Sequence, residues 1–119
     1  DCGPATHILR YEADHHGEFG FYRILFAGLS EADDPDIRNA LRRLYGRFVD
    51  FIEQQVRLQR GEESEDVADD ARQVAWAILG LGTVSNIGKE LGLLPQGLRK
   101  RLFLETGAAL LRPAPPKQP

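Results

Sequence analysis

The chain has 119 residues, 42% hydrophobic and 28% charged, with a formal net charge of −3. That length and composition fit one globular domain with one small core, far from the disordered class. The excess of acid argues against this chain holding nucleic acid by itself, because phosphate contacts need a concentrated basic face.

No apolar run approaches the roughly 20 residues of a membrane span. The opening "DCGPATH" lacks the basic start and apolar core of a secretory signal. A lone cysteine, Cys2, excludes an internal disulfide and fits a reducing, cytoplasmic setting. Met is absent, position 1 included, as expected of an excerpt from a longer protein.

Periodicity predicts four helical segments and no strand. The first runs from about Pro4 to Ser30, with Ile8, Glu12, His15, Phe19, Tyr22, Phe26 and Leu29 at alternating three- and four-residue steps. Gly17 and Gly20 interrupt it, each costing about 1 kcal/mol relative to Ala, so a bend or break is expected near Gly17. Phe21 falls on a different face from Phe19, Tyr22 and Phe26.

The second segment has the clearest start. In "DDPDI", Asp34 can cap, Pro35 suits the first helical position, and Asp36 complements the helix dipole. Ile37, Leu41, Leu44, Phe48, Phe51, Ile52 and Gln55 form one face, with Tyr45 and Val49 beside it. The helix should span about 25 residues, about 38 Å, and stop at Gly61.

The third segment opens after the candidate cap Ser64. Val67, Ala71, Val74, Ile78 and Leu81 make one face, with Trp76, Leu79 and Thr83 on another. Ala75, Ala77, Gly80, Gly82 and Gly88 let a neighbouring backbone come close, and Gly92 ends the helix. Pro95 starts the fourth segment, which continues to about Leu111. The proline-rich residues 113–119 then form a tail expected to be disordered.

The last two segments are apolar on more than one side, and such helices must be covered on more than one side. The economical solution is a homodimer packing both helices against their symmetry mates, with Ala77, Gly80, Val84, Ile87, Leu98, Leu102 and Ala109 at the interface. The fold expected is all-α: an antiparallel bundle of four to five helices over residues 1–112, dimerising through its last two.

No catalytic constellation emerges. Glu12 and His15 form one Glu-x-x-His step, but the second such step of a di-iron bundle is missing, and no metal site is complete. Ser30, Ser64 and Ser85 lack a nucleophile-elbow context, and "GLGTVSNIG" follows no strand. Arg99, Lys100 and Arg101 read as a solvated face. Neither enzyme activity nor a cofactor is expected.

The aromatics remain. Phe19, Tyr22 and Phe26 of the first segment, Tyr45, Phe48 and Phe51 of the second, and Trp76 of the third would surround one interior region if these faces meet. Tyr22, Tyr45, Thr83 and Asn86 could supply polar groups to a ligand there. A solid aromatic core is the competing reading.

The order "FYRILFAGLSEADDPDIRNALRRLYGRFVDFIEQQVRLQRGE", then "DDARQVAWAILGLG", then a Pro-started terminal helix resembles the C-terminal half of TetR-family transcriptional regulators. The likeness covers about residues 5 to 112. It implies an effector-binding and dimerisation domain in which a small apolar or amphipathic molecule controls DNA binding by an N-terminal helix-turn-helix domain. That domain is not in this chain, since nothing before Ile8 could house its helices. DNA would thus be a partner only of the longer protein. The alternative is a ligand-free helical dimerisation module.

Overall fold

The computed structural model describes residues 3–15, 21–61 and 68–112, without the side chains of residues 21, 22, 68 and 69. Among these residues every regular element is helical. They are α1 (Pro4–His15), α2 (Phe21–Ser30), α3 (Pro35–Arg60), α4 (Ala68–Glu90), α5 (Gln96–Arg101), a π-helical turn (Leu102–Thr106) and α6 (Gly107–Leu111). The expected all-α bundle is therefore present. The first predicted segment is two helices, α1 and α2, and Gly17 and Gly20 lie outside the described residues between them. Ser64, Val67 and the tail at 113–119 also lie outside them.

α3 begins and ends where its local chemistry dictates. Asp34 is extended (φ −74°, ψ 120°), and its side chain accepts from the Asp36 N–H at 2.9 Å, with Pro35 opening the helix. Gly61 adopts the left-handed conformation (φ 70°) and donates to Leu58 O at 3.3 Å. A residue with a Cβ would be strained there. Gly92 ends α4 in the same way, at φ 69°.

α3 and α4 form an antiparallel pair whose alignment is marked by ion pairs. Arg60 meets Asp70 at 2.6 Å, and Arg72 meets Asp50 at 3.2 Å and Glu53 at 3.3 Å. Hydrogen bonds to Asp50 and Glu53 hold the Arg72 guanidinium above its ordinary pKa. α1 lies across the C-terminal half of α3. The Thr6 N–H donates to Gln59 Oε1 at 2.8 Å, while Gln59 Nε2 donates to Thr6 Oγ1 at 2.9 Å.

The main core sits at this end of the molecule. Leu9 of α1, Val49 and Val56 of α3, Ala71 and Ala75 of α4, and Phe103 of the π turn are each at most 2% exposed. Burying a side chain the size of Leu9 or Phe103 contributes about 1.5–3 kcal/mol.

The fourth predicted segment departs from a plain helix at Leu102–Thr106. Phe103, Gly107 and Leu111 are all buried, at four-residue spacing. An α-helix turns past such a line, because its repeat is 3.6 residues. The wider π turn, in which the Gly107 N–H reaches back to Leu102 O, keeps the three in phase against α1. Gly107 is where α1 comes closest: a Cβ there would lie 2.6 Å from Leu9 Cδ1.

Candidate functional site

The other end of the bundle is built from α2, the N-terminal half of α3 and the C-terminal half of α4. α2 is seated on α3 at Gly28, where an added Cβ would stand 3.3 Å from Leu41 Cδ2. It reaches α4 through Arg23 and Glu90, 3.0 Å apart on the surface. Counting equal helix rise from the Arg60–Asp70 and Arg72 pairs puts Asn86 level with the Asp36–Leu44 stretch of α3.

This end is packed by a different set of residues from the main core. Leu25 is buried at 3% exposure, while Phe26, Ile37, Leu41, Leu44, Tyr45 and Phe48 are half-buried. Burial raises the Tyr45 phenol above its ordinary pKa of 10.0. The inner face of α4 runs Ala71, Val74, Ala75, Ile78, Gly82, Ser85 and Asn86, all buried. The apolar spacing thus ends in two polar side chains.

One buried polar atom on each of those two side chains has no hydrogen-bond partner. Ser85 is 0% and Asn86 3% exposed, and both Ser85 Oγ and Asn86 Nδ2 are buried unpaired. Each such atom costs about 1–3 kcal/mol if left unsatisfied, so adjacent orphans on one helix need a cause. Thr83, two residues before Ser85 on the same helix, illustrates the ordinary outcome: its hydroxyl donates to Leu79 O at 3.1 Å.

The candidate ligand residues separate by place. Phe26, Tyr45 and Asn86 belong to the three-helix end, Phe48 is half-buried at the middle of α3, at least a turn from the level of Asn86, and Thr83 is half-buried with its hydroxyl engaged within α4. Tyr22 has its backbone in α2 but its side chain outside the described set, and Phe19 lies outside it altogether. Phe51 and Trp76 do not join the others, since each is 52% exposed. Their helix phase explains this. The buried positions of α3 are Val49, Ile52 and Val56, and those of α4 near Trp76 are Val74, Ala75 and Ile78. Ser85 was not anticipated as a site residue. Its signal was available in the buried periodicity of α4, which passes through position 85.

The outer face of α4 is apolar and open. Trp76, Val84, Ile87 and Leu91 recur at helical spacing and are 44–66% exposed, with Ala77 and Gly80 half-buried between them. Gly80 leaves a flat spot: a Cβ there would meet nothing within 4 Å. Leu93 and Leu98 are exposed beyond the end of α4, and Ala109 is exposed on α6. Leu98 and half-buried Leu102 also line an open groove of about 310 Å³ with Leu94, Arg101, Glu105 and Thr106.

Among the described residues, no group of three or more His, Cys, Asp or Glu side chains could hold a metal ion. No helix among them is long and apolar enough to cross a membrane. Comparison with known proteins gives no match to a family model, a curated protein or a solved structure.

Proposed function

We propose that this chain is the effector-sensing and homodimerisation domain of a TetR-like transcriptional regulator working in the cytoplasm. A small apolar or amphipathic molecule binds beside Phe26, Tyr45 and Phe48, and two copies join through α4 and the α5–α6 region. DNA is read by a helix-turn-helix domain elsewhere in the longer protein. The domain itself is non-catalytic.

One observation carries this reading: α4 has two unusual faces. Its inner face ends in the unpaired Ser85 and Asn86, and its outer face is the uncovered apolar strip from Trp76 to Leu91. A contiguous exposed strip of this kind marks an association surface. A ligand that moves the inner face must move the outer one, because the helix is a single rigid body. The ligand acts by preferring one dimer geometry over another, which changes the spacing of the two DNA-reading heads.

Thermal melting against a panel of hydrophobic and amphipathic compounds tests the sensor. At least one compound should raise the melting temperature, and Phe48→Ala should abolish that rise while remaining folded. Sedimentation tests the dimer, which Val84→Glu should convert to monomer. A dimer that no compound stabilises would favour the ligand-free dimerisation module, to which the uncovered strip is equally suited.

A further inference from the structure

We infer that Ser85 and Asn86 are the polar anchor of the effector site, and that they select an uncharged hydrogen-bond acceptor. The ligand class is a ketone, ester, lactone or amide carbonyl carried on an otherwise apolar molecule. This inference rests on the sensor reading and deepens it by assigning the ligand's polar group.

The donor inventory fixes the sign of the partner. Asn86 Nδ2 can only donate, so whatever completes it is an acceptor. Ser85 Oγ can donate too. A helical serine ordinarily returns its hydroxyl to the carbonyl one turn back, as Thr83 does. Ser85 makes no such bond, so its hydroxyl is also available. Two donors from successive residues can converge on one oxygen, which has two lone pairs.

The surroundings fix the charge. Among the described residues, the charged side chains on α2, on residues 35–47 of α3 and on residues 80–90 of α4 are exposed, except Lys89, which is half-buried and already engaged. An ionised carboxylate or ammonium would enter that interior without a counter-charge, which is strongly unfavourable. A neutral carbonyl takes both donors without that penalty. The half-buried side chains of Phe26, Leu41, Leu44 and Tyr45 match the apolar remainder of the molecule.

The test uses N-phenyl-1-naphthylamine, an uncharged probe that fluoresces in apolar sites, and its displacement by 2-decanone, decane and decanoate. The probe should bind, and 2-decanone should displace it at about tenfold lower concentration than decane or decanoate, the worth of one hydrogen bond. Asn86→Leu and Ser85→Ala should keep probe binding and lose the preference for the ketone. Both variants should melt no lower than the parent, because each removes an unpaired polar group.

Equal displacement by 2-decanone and decane, with the probe bound, would overturn the anchor and leave the sensor reading standing. Stronger displacement by decanoate would overturn the uncharged class. Variants that melt lower than the parent but keep the ketone preference would assign the pair to a structural water and overturn the anchor. Failure of the probe to bind the parent would remove the sensor reading itself, and this inference with it.

Discussion

The guanidinium of Arg60 donates to Asp70 Oδ2 at 2.6 Å and, from its other nitrogens, to the carbonyls of Leu110, Leu111 and Arg112 at 2.9, 3.1 and 2.9 Å. One side chain, 2% exposed, therefore joins the end of α3 to the start of α4 and caps the carbonyl end of α6. Its planar fork serves several acceptors at once, which an ammonium cannot do in the same geometry. Arg60→Ala should lower stability by about 2–4 kcal/mol, since it leaves terminal carbonyls and a carboxylate unpaired. Arg60→Lys should recover only a minor part of the loss. Urea denaturation measures both, and an alanine variant as stable as the parent would refute the role.

Gly88 should resist even the smallest side chain. A Cβ there would sit 2.6 Å from Leu94 Cβ, an atom fixed to the backbone. Gly88 O also accepts from the Leu93 and Leu94 N–H groups at 2.9 and 3.1 Å, so the turn closing α4 cannot easily open. Gly88→Ala gains about 1 kcal/mol of helix propensity. Overpacking typically costs about 1–3 kcal/mol, so a net loss is expected. A thermal melt of the alanine variant above that of the parent would contradict the close approach.

Tyr45 should make stability pH-dependent at the alkaline end. Burial raises its phenol above 10.0, so the folded chain holds this proton more tightly than the unfolded one. Below that value both states are protonated, and the contribution is fully present. As pH rises toward the folded value the unfolded chain ionises first, and stability falls. Urea midpoints of the parent and Tyr45→Phe, compared near pH 8 and near pH 10.5, isolate the phenol from other alkaline titrations. The parent should lose ground to the variant as pH rises; a constant difference would count against a buried phenol.

Trp76 is the chain's one tryptophan and is half exposed on the outer face of α4, so its fluorescence reports on that face. If a second copy covers the strip, acrylamide quenching should weaken as protein concentration rises and strengthen again in Val84→Glu. Quenching that ignores concentration over a range in which sedimentation detects association would place the contact elsewhere.

Sequence made α3 legible because its signals are local. Asp34, Pro35 and Gly61 act on backbone within a turn of themselves, and the helix begins and ends beside them. The π turn was not legible, because nothing in "LFLET" demands it. It follows from the need to hold Phe103, Gly107 and Leu111 in line against α1, a tertiary requirement. The candidate site was readable in part. Asn86 stands out as an amide on an apolar helix, whereas Ser85 looks like one more small residue. Phe51 and Trp76 were grouped with the other rings by type, and helix phase separates them. The expectation of an apolar surface on the later helices rested on more residues than one face could bury, and the outer strip of α4 is that excess.

α2 is tethered lightly. Leu25 is its buried residue among those described, Gly28 rests on Leu41, and the Arg23–Glu90 pair is exposed at both partners, of a kind worth about 0–1 kcal/mol. None of its described side chains belongs to the main core cluster. The helix can therefore lift away while the core stays intact, and its amide hydrogens should exchange through that local opening, long before those of mid-α3. The proposed effector, if it binds beneath α2, would need no permanent channel. Its rate of entry would then be set by how often the helix opens, and its time of residence by how firmly it holds the helix down.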